Sequence, residues 1–449
     1  MLLKSSTGSA FDIDATAPEA PSPPESLKEA GLTLAFLNDL ILKCLYLRGT
    51  MVGRDLGQFL CLPFKVVKEG LKFLKDEKNI EVMGGDLVGE VSYKFSLTDL
   101  GRRRAQEAME MCAYCGPAPV PLEDYVEQTY RQAVTGIRCT PETLAAPFSH
   151  LVIKDEMFNA LGPAIVSGRS VFIYGPPGNG KTAMARSIGE FMNQAGGGIY
   201  VPYAFLAEGS IITVYDPSLH QVDDNADASF IDPDSSVKRL LNTGAVDPRW
   251  VRIRRPVIVT GGELTLEMMD LRYNPESKFY QAPIHFKANG GVFLIDDFGR
   301  QIVSPKELLN RWILPLEDRH DFLTVANGKK FQVPFEQLII FSTNLDPKDL
   351  VDDAFLRRIR HKVEVNAPTR DVYERIFYNY ARKLGMQPLP DAIDYLYERY
   401  YSRGRSPRAS DCRDLLEIVQ SICRYRRHPV HLTRDLIAEA AASFIAEFN

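Results

Sequence analysis

The feature that most constrains this chain is a glycine-rich segment between an apolar run and a helix-forming stretch. The apolar run covers residues 170–174, and residues 175–182 read Gly-Pro-Pro-Gly-Asn-Gly-Lys-Thr. Glycines let the backbone curl so that successive N–H groups face one point, and the helix that starts there adds the positive end of its dipole. The pattern G-x-x-x-x-G-K-T therefore predicts a phosphate-binding loop between a buried strand and a helix.

Each part of this loop has a predicted chemical role. Lys181 is expected to neutralise the β- and γ-phosphates, and Thr182 to hold Mg²⁺ through its hydroxyl. The predicted nucleotide-binding residues are Gly175, Pro176, Pro177, Gly178, Asn179, Gly180, Lys181 and Thr182. The sequence thus predicts ATP and Mg²⁺ as ligands.

Two further apolar runs end in polar side chains. Residues 291–295 lead into Asp296 and Asp297, and residues 338–343 lead into Asn344. Acidic residues at the tip of a buried parallel strand are suited to bind the Mg²⁺ shell and to polarise an attacking water, which assigns these roles to Asp296 and Asp297. Asn344 is expected to orient the same water.

Composition excludes several classes of protein. The chain has 449 residues, which suggests about three domains, and its 45% hydrophobic and 25% charged residues are typical of a globular protein. A net charge of -5 excludes a chain-wide basic coat for nucleic acid. We find neither a signal-peptide pattern nor an apolar run of about 18 residues, so we expect no membrane span. Seven cysteines, few and odd in number, favour a cytoplasmic location.

In chain order these motifs resemble those of the AAA+ ATPases. The order is the phosphate loop (Walker A), residues 292–297 (Walker B), residues 338–344 (sensor 1), Asp-Ala-Phe-Leu-Arg-Arg at 353–358 and then a helical region. The resemblance covers roughly residues 124–449. It implies an α/β P-loop core, a parallel sheet flanked by helices, with a small α-helical lid.

The same resemblance implies an activity and an assembly. Members hydrolyse ATP at the interfaces of a homo-oligomeric, hexameric ring and remodel a macromolecular client, here an unknown protein. Either Arg357 or Arg358 is expected to be the arginine finger that reaches the neighbouring subunit's nucleotide. Arg408, in Ser-Pro-Arg at 406–408, resembles the sensor 2 arginine of the lid.

A finer resemblance comes from a predicted hairpin just before sensor 1. Asn327-Gly328 between two alternating strands, over residues 322–333, is a strong hairpin signal. A hairpin at this place resembles the group that includes the MoxR-type and magnesium-chelatase ATPases. The segment 206–288 is long for the family, and we interpret it as an insertion. It either contacts a partner or a ring pore, or is a structural elaboration without contacts.

Walker B departs from the family pattern, because Asp297 stands where a glutamate is usual. Aspartate is one methylene shorter, and a carboxylate about an ångström farther from the water can cost roughly a hundredfold in rate. Slow hydrolysis, as in a nucleotide-dependent scaffold, therefore stands as an alternative to ordinary turnover.

The N-terminal part resembles a winged-helix domain. Three helical patterns up to residue 76 are followed by strand-like segments on either side of Gly84-Gly85-Asp86, which predict a hairpin. Four lysines share one face of the third helix: Lys65, Lys68, Lys72 and Lys75. In a helix-turn-helix that helix would enter the major groove, so we keep a DNA-binding ATPase or transcriptional regulator as an alternative. A solvated lysine face on a protein-binding domain explains the pattern equally well.

These patterns divide the chain into five parts. We predict a disordered Pro-rich tail at 1–27, a winged-helix domain at 28–111, a linker at 112–123, an AAA+ α/β domain at 124–366 and a helical lid at 367–449.

Cys112 and Cys115 form a lone C-x-x-C, which lacks the four ligands of structural zinc, and we expect no metal or redox role. His428 and His431 lie beside three arginines, which indicates an exposed basic helix end.

Overall fold

The structure is a computed structural model and describes residues 18–84, 89–223, 246–350, 353–387 and 389–445. The strands in chain order are β1 (Met51–Val52), β2 (Ile80–Gly84), β3 (Lys94–Leu97), β4 (Val120–Pro121), β5 (Val171–Tyr174), β6 (Ile199–Pro202), β7 (Ala204–Ala207), β8 (Ser210–Thr213), β9 (Trp250–Ile253), β10 (Val257–Thr260), β11 (Arg272–Asn274), β12 (Phe279–Gln281), β13 (Val292–Ile295), β14 (His320–Thr324), β15 (Lys330–Pro334), β16 (Leu338–Thr343) and β17 (His361–Glu364).

The helices are α1 (Leu34–Arg48), α2 (Gly53–Leu60), α3 (Phe64–Asp76), α4 (Asp99–Met111), α5 (Leu122–Arg131), α6 (Pro141–Ala145), α7 (Asp155–Ser167), α8 (Lys181–Gly196), α9 (Pro305–Arg311), α10 (Ile313–Asp318), α11 (Pro347–Leu350), α12 (Asp353–Arg358), α13 (Arg370–Lys383), α14 (Pro390–Arg399), α15 (Ala409–Tyr425) and α16 (Arg434–Phe444). None of the described helices combines the length and the apolar character needed to cross a bilayer.

A five-stranded parallel sheet forms the centre of the molecule. Its order is β10-β13-β16-β5-β17, and each neighbouring pair is parallel. The three inner strands β13, β16 and β5 are largely apolar and buried, because both faces of the sheet are covered there. Val171 and Ile173 pack with α7 and α8 on one face, whereas Phe172 packs with Trp312 and α9 on the other. The predicted α/β class, a parallel sheet flanked by helices, is confirmed.

Strand order decides where the predicted site residues meet. The carboxyl ends of parallel strands lie at one edge of a sheet, and ligands bind there. Since β16 lies between β5 and β13, Asn344 is placed between the phosphate loop after β5 and the two aspartates after β13.

A second five-stranded sheet, of order β11-β12-β8-β7-β4, connects the N-terminal unit to the rest of the molecule. Side chains on the two faces of this sheet pack into two different hydrophobic cores. Ala204, Ile211 and Phe279 join the apolar core of α1–α4. Phe205 and Tyr280 pack instead with α5 and with the β14–β15 hairpin, where the Phe205 and Phe331 rings lie 6.1 Å apart.

The β14–β15 hairpin is present as the sequence predicts. The two strands pair antiparallel from His320–Pro334 to Thr324–Lys330. Gly328 adopts a φ of 83°, a left-handed conformation that glycine reaches without steric cost and that tight hairpin turns require.

The N-terminal unit contains the predicted three helices, and β2 and β3 pair antiparallel after them. β1 adds a third strand on the other side of β3, and Thr33 caps α1 by accepting a hydrogen bond from the Phe36 amide at 3.2 Å. Of the predicted hairpin tip, Gly85 and Asp86 lie outside the described residues.

The segment predicted as a disordered tail differs in its second part. Residues 1–17 lie outside the described part of the chain, but residues 18–27 pack against the protein. The carbonyl of Pro21 accepts a hydrogen bond from the Asp247 amide at 2.7 Å, and Glu19 accepts one from Gln128 at 3.0 Å. Proline prevents helix here but leaves carbonyl acceptors exposed for other segments.

The segment 112–123 is also more than a linker. Val120 and Pro121 form β4 and pair parallel with β7. The Tyr114 ring lies edge-on to Phe279 at 5.5 Å, which anchors the segment on the second sheet. A Gly- and Pro-rich composition marks irregular backbone, but it carries no information about what that backbone packs against.

The predicted insertion at 206–288 needs one correction. Val257–Thr260, which we had included in it, is the β10 strand of the central parallel sheet and pairs with β13. The described remainder, together with β6, forms short strands of the smaller sheets. Residues 224–245 of this segment lie outside the described part.

The C-terminal helices α13–α16 have an apolar core of their own. Phe377, Leu396, Leu416 and Ile437 are fully buried in it, and the helices pack on one another rather than on the sheet. This arrangement agrees with the predicted helical region after residue 367.

Candidate nucleotide-binding site

The glycine-rich loop has the backbone shape that a phosphate cradle requires. Gly175, Gly178 and Gly180 adopt φ values of 134°, 80° and 84°, all in the region that side chains disfavour. A Cβ on Gly175 would lie 2.3 Å from the carbonyl oxygen of Val365, so only glycine fits beside β17. The loop runs directly into α8, whose first-turn N–H groups have no acceptor within the helix. Loop and helix together therefore provide an anion site.

The Lys181 ammonium is buried and is held by three hydrogen bonds. Only 7% of its surface is exposed. Its ammonium donates hydrogen bonds to the carbonyls of Gly175 and Pro176 at 2.8 and 3.0 Å and to Asn344 Oδ1 at 2.7 Å. Burial lowers the pKa of Lys181, while the nearby carboxylates of Asp296 and Asp297 oppose that shift. The lysine is thus fixed at the mouth of the loop.

Thr182 and Asp296 form the candidate Mg²⁺ position. The threonine hydroxyl donates to Asp296 Oδ2 at 2.7 Å, so a hard oxygen ligand from the first turn of α8 and one from the end of β13 are already side by side. Within the described residues, no group of three or more His, Cys, Asp or Glu side chains is arranged to hold a metal. Mg²⁺ does not need one, because it is commonly bound by one or two carboxylates together with substrate phosphates and water. The residues present therefore fit Mg²⁺.

Asp297 has an unusual backbone. Its φ is 50°, in the left-handed region that glycine, asparagine and aspartate adopt more readily than other residues. Its carboxylate accepts a hydrogen bond from Asn344 Nδ2 at 2.9 Å, and its amide donates to Asp296 Oδ1 at 3.1 Å. This turn places the Asp297 carboxylate next to Asn344, which follows the neighbouring strand β16.

Gln301, which no sequence motif indicates, holds this turn. Gln301 donates from Nε2 to the carbonyls of Asp296 and Asp297 at 2.8 and 3.2 Å, and its Oε1 accepts from the Gly299 amide at 2.8 Å. A glutamine five residues after the aspartate has no motif in the sequence. Its role becomes visible only when the loop folds back on itself.

Contacts between the lid and the phosphate loop were also not predicted in detail. The Ser410 amide donates to the Gly178 carbonyl at 2.8 Å, and the Ala409 amide donates to Asn179 Oδ1 at 3.1 Å. Both amides belong to the first turn of α15, so a second helix N-terminus faces the loop. Arg408, the predicted sensor 2 residue, precedes that turn and has an exposed side chain.

The two candidate finger arginines line a separate cavity of about 380 Å³, together with Arg169, Leu316, Glu317 and Arg360. Arg358 forms an ion pair with Glu317 at 2.6 Å, and its guanidinium lies 5.5 Å from the centre of the Phe355 ring. The Arg357 side chain is exposed and has no hydrogen-bond or ion-pair partner among the described residues. The structure therefore distinguishes two residues that the sequence left equivalent.

The cysteines of the C-x-x-C motif lie near Cys44 and Lys43. All seven cysteines are free. A hydrogen bond between Cys44 and Cys115, together with burial, raises the pKa of Cys44, and the same bond lowers the pKa of Cys115. Lys43 is buried and donates to the Cys112 carbonyl at 3.1 Å. The motif packs into the core of the N-terminal unit and lies away from the nucleotide site.

Comparison with known proteins gives limited matches. A family model described as a domain of unknown function (DUF8689) matches residues 369–443, the helical region. Among curated proteins, no sequence matches the chain.

Several solved structures are similar to part of the chain. NtrX from Brucella abortus is 16% identical with a TM-score of 0.40, over 68% of this chain and 58% of NtrX. The RuvB Holliday junction branch migration motor of Thermotoga maritima is 16% identical with a TM-score of 0.34, over 68% and 70% of the two chains. Domain III of the replication initiation protein DnaA from Thermotoga maritima is 14% identical with a TM-score of 0.36, over 69% and 100%. Similarity at this level does not indicate a function for this chain.

Proposed function

We propose that this protein is a Mg²⁺-dependent ATPase of the AAA+ type. One observation carries the proposal: hydrogen bonds join five residues from the start of α8 and the ends of β13 and β16. Lys181 bonds Asn344, Asn344 bonds Asp297, the Asp297 amide bonds Asp296, and Asp296 bonds Thr182. A lysine, a hydroxyl, two carboxylates and an orienting amide around a glycine cradle are the groups that phosphoryl transfer to water requires.

Each side chain has a task in this proposal. The loop amides and Lys181 bind the phosphates of the substrate, and Thr182 with Asp296 holds the cation. Mg²⁺, when bound, neutralises charge that develops on the phosphate oxygens. Asp297 accepts a proton from the attacking water. Asn344 holds the Asp297 carboxylate and the Lys181 ammonium in position through its hydrogen bonds to both.

A steady-state ATPase assay of the Lys181→Ala variant tests this function. We expect turnover and ATP affinity to be lost, while the thermal midpoint stays close to that of the wild type. Lys306→Ala, which removes an exposed lysine from the first turn of α9, is the matched control and should hydrolyse ATP normally. Equal activity of the wild type and Lys181→Ala would contradict the proposal.

The proposed active form is a homo-oligomeric, hexameric ring that remodels a protein client. Arg357 supports this form, because an exposed arginine without an internal partner is available to a neighbouring subunit's phosphates. Arg358 is engaged by Glu317, so we assign the finger to Arg357. Arg408 and the first turn of α15 would transmit nucleotide state to the lid through their contacts with the loop.

DNA binding by the N-terminal unit is a second candidate function. Lys72 and Lys75 are exposed on α3 without a partner among the described residues, as a phosphate-binding face requires. Two other lysines of the stripe are partly neutralised, since Lys68 pairs with Glu90 at 2.7 Å and Lys65 with Glu25 at 4.0 Å. Duplex binding by the full chain that falls steeply with salt and is lost in Lys72→Ala/Lys75→Ala would support it. Unchanged binding in that variant would exclude this surface.

A further inference from the structure

The most solvent-exposed aromatic side chain of the described structure lies at the end of α15. Residues 424–428 read Arg-Tyr-Arg-Arg-His, and the Tyr425 side chain is 89% exposed, more than any other large apolar residue described. All four flanking basic residues are exposed as well. A large ring that is this exposed to water contributes nothing to the apolar core of the helical region.

Backbone hydrogen bonds fix the shape of this turn. The Arg427 amide donates to the Arg424 carbonyl at 3.1 Å, and the His428 amide donates to the Cys423 carbonyl at 3.0 Å. This is the Schellman pattern of a helix end, in which the residue with positive φ is usually glycine. Here that residue is Arg427, with a φ of 59°. Glycine is usual at this position, so an arginine there carries a conformational cost.

Arg319 is an arginine in a similar position whose side chain stabilises the fold. It also ends a helix with a positive φ, of 58°. Its guanidinium forms an ion pair with Glu336 and donates to the Gly168 carbonyl at 2.6 Å. The Arg427 guanidinium has no such partner in the described part of the chain. Attraction to the helix dipole accounts for Arg424 and Arg426, which precede the turn, but not for Arg427 beyond it or for Tyr425.

We propose that this turn is a binding site for single-stranded nucleic acid. Tyr425 stacks on an unpaired base, and Arg424 and Arg427 on either side of it bind the adjacent phosphates. Arg426 is less available, because it pairs with Glu439 at 2.6 Å. An acidic peptide would satisfy the arginines but offers no flat surface for the tyrosine, whereas a nucleotide supplies both. The pre-formed turn lowers the entropic cost of binding.

The test uses the full chain with Lys65, Lys68, Lys72 and Lys75 changed to alanine, which removes the exposed lysine stripe of α3. Fluorescein-labelled oligo(dT) and oligo(U) of about 20 nucleotides, longer than typical single-strand site sizes, are titrated at low salt and followed by anisotropy. Tyr425→Ala is expected to weaken binding about fivefold or more, as loss of one stacked base predicts. Arg382→Ala, an exposed arginine in the last turn of α13, is the control and should bind normally.

Arg427→Gly separates binding from folding. It should weaken oligonucleotide binding as Tyr425→Ala does, yet leave the thermal midpoint equal or higher, since glycine fits this backbone better. A preference for one oligonucleotide identifies the strand as DNA or RNA.

Three results would overturn the proposal. They are the absence of binding at low salt, full binding by Tyr425→Ala, and binding to phosphatidylserine vesicles but not to either oligonucleotide.

Discussion

Asn344 donates a hydrogen bond from its side-chain amide to the carboxylate of Asp297 over 2.9 Å. The oxygen of the same amide accepts from Lys181 over 2.7 Å. Only one orientation of the amide satisfies both bonds, because the lysine can only donate and the carboxylate can only accept. Asn344 therefore links Lys181, at the start of α8, to Asp297, the proposed general base after β13.

Replacing Asn344 by alanine should affect turnover more than binding. Asp297 loses its fixed position, and a small misplacement of a catalytic group costs about a hundredfold in rate. We expect kcat to fall by about that factor in a coupled ATPase assay, while ATP affinity measured with a fluorescent analogue changes only a few-fold. Asn310→Ala, on the exposed side of α9, is the control. An equal loss of affinity and turnover would show that Asn344 serves binding.

Asp297→Asn tests the general base directly. Asparagine keeps the size of the side chain and tolerates the left-handed backbone at this position, but it cannot accept a proton. We expect turnover to fall by about 10²–10⁴-fold, the usual contribution of acid–base catalysis, with nucleotide binding retained.

Asp297→Glu examines the slow-scaffold alternative. If the short aspartate limits the rate, the longer glutamate should speed ATP hydrolysis in the same assay. A wild type that already turns over at an ordinary rate and is slowed by Asp297→Glu would remove the scaffold alternative.

The central site was predictable from sequence because its residues lie next to strands that are recognisable by themselves. Lys181, Thr182, Asp296 and Asn344 each follow or begin an apolar run or a glycine motif, and parallel pairing brings those ends together. Val257–Thr260 was missed as a strand of the same sheet, since it follows three arginines and a proline within residues 252–256 and no recognised motif comes after it.

Contacts between distant segments were not predictable. Arg249 is buried, forms an ion pair with Asp247 at 2.8 Å and donates to the Ala30 carbonyl at 2.8 Å, which joins the segment before β9 to the N-terminal unit. A buried arginine satisfied by a backbone carbonyl has no sequence signature, because its partner is chosen by the tertiary fold. The packing of residues 18–27 escaped prediction for the same reason.

The two neighbouring arginines of α12 should respond differently to substitution. Arg357→Ala is expected to lower ATPase activity strongly with an unchanged thermal midpoint, whereas Arg358→Ala loses its contact with Glu317 and mainly lowers stability, by up to about 1 kcal/mol. Because the finger acts on a neighbouring subunit, a mixture of inactive Arg357→Ala and inactive Lys181→Ala should regain part of the activity. A mixture that stays inactive would contradict action in trans.

The contact between lid and phosphate loop can be tested at Gly178. A Cβ there would lie 2.5 Å from Ser410 Oγ, and the φ of 80° strains any residue other than glycine. Gly178→Ala should therefore push α15 from the loop and weaken ATP affinity, with a stability loss of about 1–2 kcal/mol from the backbone alone. Adding Ser410→Gly should restore part of the affinity. Gly136→Ala, which meets no atom within 4 Å, is the control.

Stability should fall at mildly acidic pH because of a buried histidine. His285 is fully buried between Trp312 and Phe335, with Asp321 at 3.3 Å from Nε2. Burial lowers the pKa of His285 below the ordinary value of 6.5, although Asp321 opposes the shift. The folded chain thus keeps the ring neutral, while the unfolded chain takes up a proton. His285 does not reduce the free energy of unfolding above pH 6.5. Below that pH it lowers the free energy of unfolding, by at most about 1.4 kcal/mol per pH unit.

Urea unfolding at about pH 7.5 and about pH 5.5, on either side of the ordinary histidine pKa, measures this dependence. His285→Phe should reduce the difference between the two midpoints, because the phenyl ring takes no proton. His220, whose pKa burial also lowers, should supply part of the dependence that remains. Phe335→Leu disturbs the same packing without changing a titrating group, so it should lower both midpoints equally. If His285→Phe leaves the difference unchanged, other groups govern the acid sensitivity.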